Sequence, residues 1–522
     1  MSKIYLGLDA STQSMSALAI DATNGEVVFS ASVNFGADMP NYDSPSGYLH
    51  NPDPSIVHAN PLMWVDSLDI LFAKMRDNGF DFSKVVAISG SGQQHGSVYL
   101  NASFFDGVKK LDATKNLPGQ IAPMLSRKTS PIWMDTSTSQ ECREMADAIG
   151  GNAEMSRRTG SGAIERFTGS QIRKFFKQEP AEYANTARVH LVSSFLCSVM
   201  AGKDCAIDFG DGAGMNLLNL QTLEWDKQIA SATADKLLEK LPEVKASNSS
   251  AGTVSEYFVK KYGFNADAKI ILWTGDNPSS LVGVGAMEDA SAAISLGTSD
   301  TFFASMKDLA TDPDMCGHVF GNPAGGFMSL ICFRNGSLAR EALKAKIDVD
   351  WKFFDNTSFA ETPVGNNGNL MIPFFSNEIA PRVDSSAPRL KGSDSFKNFS
   401  DKAACVRALV EGQFMNMKLR SAWMSSKPKV IRLTGGASKS NGMAQVAADV
   451  FNAKIERMKV DNGAALGAAM RAANGADNIP WRELIEKFSA ADNAKTVTPN
   501  PENAAVYESL INEFKNFIAS EF

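Results

Sequence analysis

Apolar and polar residues alternate in short runs from the start of the chain. KIYLGLDAS, SMSALAID and EVVFSASVNF, all within residues 3–35, predict three consecutive strands, with Asn24-Gly25 turning the second into the third. Residues 36–60, rich in Pro, Asn, Asp and Ser, predict an excursion loop. The period then changes. Leu62, Trp64, Val65, Leu68, Leu71 and Phe72 recur at helical spacing, and KVVAISGSGQ returns as a strand. The order β-β-β-α-β predicts an α/β arrangement.

A second start of the same kind appears later. Residues 269–285 predict strand, turn and helix, and SAAISLGTSDTFFASM (291–306) predicts two strands around a Gly-Thr-Ser-Asp turn. IYLGLDASTQSMSALAI near the N-terminus has the same form: strand, Leu-Gly, a turn rich in Ser, Thr and Asp, then strand. KVIRLTGGASKSNGMAQVAADVF (429–451) adds a strand, a Gly-Gly turn and a helix, and AAVYESLINEFKNFIASEF predicts one terminal amphipathic helix. The pattern therefore predicts two related halves. Their division is placed near Ser249–Val254, where NSSAGT is small and polar, giving domains 1–252 and 253–522.

Composition narrows the class. The 522 residues are 44% hydrophobic and 21% charged, which suits a globular protein of several domains. A net charge of -7 argues against a nucleic-acid partner. No run of 18 apolar residues predicts a membrane span, and MSKIYLGLDAS reads as a first strand and not a signal peptide. The six cysteines form no CxxC pair and fit a reducing compartment, hence a cytoplasmic location. The five histidines show neither HxxxH nor HExxH spacing, which argues against a zinc site.

The chain has no GxxxxGK[ST], and no GxGxxG between a strand and a helix. A bound nucleotide would therefore use neither common phosphate loop. Three turns of small residues stand in their place, each after an apolar strand: LDASTQS (8–14), SLGTSDT (295–301) and LTGGASKS (433–440). Small side chains let backbone N–H groups and hydroxyls come close to phosphate oxygens. Split between two halves, the turns predict a nucleotide lying across a cleft between related domains, as in actin and hexokinase. Another stretch, KIILWTGDNPSS (269–280), ends a buried-looking strand on Asp276. Asp276 is either a helix N-cap with Pro278 just behind it or a catalytic carboxylate.

Nine stretches carry a family resemblance: SGSGQQHGSVYL, PIWMDTST, ERFTGSQI, DGAGMNLL, WTGDNPSSL, ISLGTSDT, CFRNGSL, ALVEGQF and TGGAS, in order over nearly the whole chain. With them the sequence resembles the FGGY family of carbohydrate kinases, particularly its eukaryotic-type xylulose kinase branch. The resemblance implies two actin/hexokinase-like (ribonuclease H-like) domains flanking a central cleft. It implies ATP and Mg²⁺ as cofactors and D-xylulose as the sugar, phosphorylated on its C5 hydroxyl. Ribulose, L-xylulose, or a non-catalytic sensor of nucleotide or sugar are the alternatives, and assembly as a homodimer is left open.

The resemblance also assigns roles. Asp276 is the base that takes the proton of the attacking hydroxyl, in a loose transition state where orientation counts for more than basicity. Asp9 holds magnesium, largely through water; the plain alternative is a carboxylate bonded to its own turn. Thr12 and Ser14 meet phosphates, with Thr298 as their counterpart in the second half. Gln94, His95, Arg166 and Asn277 hold the sugar. A neutral histidine offers one donor and one acceptor, and Gln-His-Gly here, where glycerol kinases carry Arg-Glu, is the best clue to substrate. Arg166 has a surface ion pair with Glu165 or a neighbour as its alternative. Gly435, Gly436, Ala437 and Ser440 form the adenosine turn. Trp351 walls the adenine, or else is a core residue beside Phe353 and Phe354.

Overall fold

The computed structural model describes residues 3–458, 462–491 and 495–522. The chain divides into two compact units: residues 1–285, 319–326 and 461–489 form the first, and residues 286–318, 327–460 and 490–522 the second. The boundary expected at 252/253 falls inside the first unit. Its physical reason is strand pairing: Ser250–Thr253 is hydrogen-bonded to Lys269–Ile271, which in turn joins the first unit's sheet.

In the first unit, β1 (Ile4–Ala10), β2 (Ser14–Asp21) and β3 (Glu26–Asn34) form the predicted antiparallel meander. The helix α1 (Pro61–Asp77) starts where the Asn60 side chain accepts from the Leu62 N–H, with Pro61 in its first turn. It buries Trp64, Val65, Leu68, Leu71 and Phe72. The strand β4 (Val85–Gly92) then lies parallel to β1. Beyond β4 come β5 (Ser250–Thr253), β6 (Lys269–Ile271) and the two-residue β7 (Thr274–Gly275), which pairs with the last residues of β4. Every residue of β1 is buried, as a central strand covered on both faces requires. Two more helices matter to the site, α2 (Val192–Ala201) and α3 (Asp276–Gly283).

The second unit repeats the plan. Strands β8 (Ser291–Leu296), β9 (Asp300–Met306) and β10 (Phe327–Phe333) form an antiparallel meander. Strands β11 (Val430–Thr434) and β12 (Lys454–Arg457) add in parallel beside β8. The order β10-β9-β8-β11-β12 matches β3-β2-β1-β4-β6. The expected pair of actin/hexokinase-like, ribonuclease H-like α/β domains is thus present. The C-terminal helix Pro501–Glu521 buries Tyr507, Leu510, Phe514 and Phe517 on one face. Among the described residues, no helix is long and apolar enough to cross a membrane.

One helix of the first unit, α4 (Gly463–Asp477), comes from far along the chain. Its sequence GAALGAAMRAANGAD is small on the faces that touch its neighbours. A Cβ on Gly7 of β1 would overlap the Ala465 carbonyl and the Ala469 N–H. A Cβ on Gly467 would overlap the Ser279 carbonyl of α3, and one on Gly283 the Gly463 carbonyl. Backbone therefore packs directly on backbone, α4 being in contact with both β1 and α3. Arg471 of α4, 1% exposed, donates to the carbonyls of Gly90 at 3.0 Å and of Leu272. Gly467→Val is expected to lower stability by roughly 3 kcal/mol or more, at the upper end of overpacking costs. Denaturant unfolding measures this; a loss below about 1 kcal/mol would show that the helix simply moves aside.

Candidate functional site

Three strand ends of the first unit meet side by side. Asp9 of β1 pairs in register with Ser91 of β4, and Gly275 of β7 with Gly92. The segments that follow these parallel ends are where α/β sheets place ligands. Here they are the Ser11–Gln13 turn, Gln93-Gln94-His95, and Asp276-Asn277.

Asp276 is the first residue of α3, and Gly275, not Asp276, occupies the N-cap position without a side-chain cap bond. The cap reading is corrected by one residue: the carboxylate does not cap its own helix. Instead Asp276 Oδ1 accepts from the Asn277 N–H at 2.8 Å and from Asn277 Nδ2 at 3.0 Å. The same Nδ2 donates to Gln94 Oε1 at 2.7 Å, so acid, amide and amide form one chain. Asp276 is half-buried. Its surroundings push its pKa up to about 7: burial first, then the charge of Asp9, opposed by backbone N–H groups of Asn277 and Gln94.

Asp9 is buried, and its two oxygens accept from Ser91 Oγ at 2.7 Å and from Ser11 Oγ. Burial raises its pKa, against those two hydroxyls. Among the described residues, no group of three or more His, Cys, Asp or Glu is placed to hold a metal ion. A single carboxylate at a strand end nonetheless suits Mg²⁺, which keeps most of its waters and needs few protein ligands. Thr12 follows in the turn, half-buried, and its hydroxyl accepts from the indole N–H of Trp133 at 2.9 Å. Ser14 opens β2, its carbonyl accepting from the Ser11 N–H at 2.9 Å.

His95 sits at φ 71° with its ring stacked on Phe167, centroids 4.2 Å apart. Its Nδ1 lies 2.8 Å from the Gly214 carbonyl. A carbonyl only accepts, so the proton is on Nδ1, and Nε2 is left as an acceptor. Among the described residues no hydrogen bond reaches that Nε2. Toward a ligand the ring therefore accepts from a hydroxyl and does not donate to a ketone, which narrows the expectation from sequence. Burial, helped by the charge of Arg166, pulls the His95 pKa down to about 3. Arg166 itself is half-buried, one residue before Phe167.

The second unit gathers the other predicted residues. Thr298 lies in the β8–β9 turn, beside the β11 end, since Ser295 pairs with Thr434. The turn is locked by Arg340, which makes a two-pronged ion pair with Asp300 at 2.8 Å for each prong. Gly435 has φ 85° and its Cα faces the Leu296 carbonyl, so only glycine fits there. Gly436 opens onto free space. Ala437 continues the short 3₁₀ turn. Ser440 is buried and caps the helix Asn441–Phe451, accepting from the Met443 N–H at 3.3 Å and donating to the Asp355 carbonyl at 3.1 Å. Trp351 is 42% exposed, with Lys344 Nζ 5.4 Å above its ring, so it is not a core residue.

Residues that the sequence left unassigned complete the first unit's site. Ser91, Trp133, Phe167 and Gly214 each touch a predicted residue, and Asp211 lies against Gly275, which precedes Asp276. Each lies inside one of the nine quoted stretches, which was the signal available for them.

Two family models match the chain: the N-terminal domain of the FGGY family of carbohydrate kinases over residues 128–283, and its C-terminal domain over 292–476. The xylulose kinase of Rattus norvegicus is 39% identical over 515 residues, covering 97% of this chain and 95% of that protein. Xylulose kinase 2 of Arabidopsis thaliana is 38% identical, covering 90% and 87%. The crystal structure of a ligand-bound xylulose kinase from Lactobacillus acidophilus aligns with a TM-score of 0.80 at 22% identity, covering 99% of this chain and 98% of that one.

His95 is expected to stay neutral, with its proton on Nδ1, from pH 8 down to pH 5, because its pKa lies near 3. Long-range ¹⁵N–¹H spectra of histidine-labelled protein read this directly, with only five histidines to assign. A titration midpoint near 6.5 for His95, or a proton on Nε2, would overturn the acceptor assignment.

Proposed function

Because the chain belongs to the FGGY family of carbohydrate kinases, we propose that it transfers the γ-phosphoryl group of ATP to the C5 hydroxyl of D-xylulose. The carrying observation is Asp276, a half-buried carboxylate at a strand end with its pKa pushed up to about 7 and its direction set by Asn277. The name borne by its full-length relatives supports the choice of sugar.

In this reading the first unit holds the sugar. His95 Nε2 accepts from one sugar hydroxyl, Gln94 Nε2 and Arg166 supply donors around it, and Asn277 offers its Oδ1 as an acceptor. Asp276 orients the attacking hydroxyl and takes its proton as the P–O bond forms. The loose character of phosphoryl transfer keeps the demand on its basicity small. The second unit takes most of the ATP: the Thr298 turn meets phosphate, Gly435, Gly436 and Ala437 the adenosine, and Trp351 the base. Thr12 and Ser14 add phosphate contacts from the first unit. Asp9 would hold Mg²⁺ through its waters, and the ion supplies charge neutralisation at the phosphate oxygens. We place the protein in the cytoplasm, a reading supported by its six free cysteines.

A coupled ADP-release assay over D-xylulose, ribulose and L-xylulose tests the substrate. Equal or better turnover on either rival sugar would sink the D-xylulose assignment. Asp276→Asn is expected to lower kcat by about 10²–10⁴, the usual worth of a positioned base; full turnover in that variant would remove Asp276 from the mechanism. Asp276 accepts a proton only when ionised, so kcat/KM should fall about tenfold per pH unit below about 7. The sign for stability is opposite. A carboxyl whose pKa is raised on folding favours the native state at low pH, and that contribution is lost as pH rises through about 7. Asp276→Asn should therefore be at least as heat-stable as the parent at pH 8.

A further inference from the structure

Behind the Asp276 turn lies a buried carboxyl to which the reaction as described gives no task. Asp211 belongs to the short helix Phe209–Gly212 and is fully buried. Its N–H donates to Asp208 Oδ1 at 2.8 Å, and Asp208 Oδ2 accepts from Ser247 Oγ, which fixes the segment. Asp211 Oδ2 accepts from Ser193 Oγ of α2 at 2.5 Å. Its other oxygen, Oδ1, is equally buried and makes no hydrogen bond among the described residues.

The direction of Oδ1 is clear from the packing around Gly275. A Cβ on Gly275 would stand 2.9 Å from Asp211 Oδ1 and would overlap Gln94 Cγ. The carboxyl thus lies against the residue that immediately precedes Asp276, and beside the glutamine whose Oε1 receives Asn277. Backbone approach is equally close on the neighbouring residue: a Cβ on Gly210 would stand 2.5 Å from Thr274 Oγ1. The helix holding Asp211 and the strand leading to Asp276 are therefore in direct contact. Three residues further on, Gly214 receives the Nδ1 proton of His95.

We propose that Asp211 is a positioning residue for phosphoryl transfer: its carboxyl, anchored by Ser193, braces the Gly275–Asp276 turn and so fixes the backbone from which the Asp276 carboxylate, oriented by Asn277, projects. The proposal rests on the assignment of Asp276 as the acceptor base. Burial holds the Asp211 acid well above the ordinary carboxylate range, with repulsion from Asp208 and Asp276 in the same direction. A neutral acid suits this place, since a second full negative charge there would oppose ionisation of the base. Asparagine has nearly the same shape and carries no charge, so it reproduces the neutral form.

The expected result for Asp211→Ala is a kcat about 10²-fold lower, the scale of a misplacement near 1 Å, with KM for sugar and ATP within about threefold. Asp211→Asn should restore kcat to within about threefold of the parent. Ser193→Ala frees the carboxyl without emptying its space, and should lower kcat about tenfold. Because both act through one contact, Ser193→Ala should add little to Asp211→Ala in a double-mutant cycle. Thermal melts accompany each assay. The proposal is overturned if Asp211→Ala keeps kcat within about twofold, if the loss falls on KM, or if the two losses multiply. If Asp211→Ala does not fold, Ser193→Ala decides, and an unchanged kcat there overturns it. The Asp276→Asn control separates the two ideas: an inactive Asp276→Asn beside a fully active Asp211→Ala rejects the brace and keeps the base.

Discussion

Contact of backbone with backbone around α4 sets where Asp9 and Asp276 stand. Asp9 stands two residues after Gly7, and Asp276 begins the helix that Gly467 presses against. Any side chain at Gly7, Gly283 or Gly467 would hold these segments apart by the thickness of a methyl group or more. The glycines are costly in chain entropy, about 0.5–1 kcal/mol each relative to alanine in regular structure. The close approach they permit offsets that cost, because the strand ends that bear Asp9 and Asp276 are held in place by the same helix.

The electrostatics of the first unit follow from the same crowding. Asp9, Asp208 and Asp211 are buried, and Asp276 is half-buried among them. One buried guanidinium, Arg471, accompanies them, its pKa lowered by burial to about 10 and still charged at neutral pH. Burial raises the pKa of Asp9, Asp211 and Asp276, with repulsion from neighbouring carboxylates adding to it at Asp211 and Asp276, while burial and the charge of Arg166 lower that of His95. Opposite shifts in neighbouring groups are a mark of sites that manage protons. Here they leave the Asp276 carboxyl poised near neutrality and His95 uncharged at neutral pH.

Much of this was legible in the sequence because it is local. The meander, the three small-residue turns and the strand that stops at Asp276 are each written within about ten consecutive residues. The helix Gly463–Asp477 was not read, since a run of alanines and glycines shows no clear apolar stripe; only packing reveals that its smallness is its function. Asp211 and Gly214 sat in a quoted motif without a role, because each acts on a residue that is distant in sequence. The cap at Asp276 missed by one residue, a usual uncertainty at helix ends. The domain boundary followed composition, whereas strand pairing carries the first unit on to Gly285.

The discontinuity of the first unit has a bearing on how the chain becomes a protein. Synthesis runs from the N-terminus, and domains ordinarily fold as they emerge. The first unit cannot do so. Its central strand shows an uncovered backbone face at Gly7 until residues 463–477 have left the ribosome, and the whole of residues 327–460 is made first. The second unit waits as well, since its own last segment, residues 490–522, is made after the first unit's. Throughout that interval the segment around Gly7 stays exposed to misfolding and to chaperone capture.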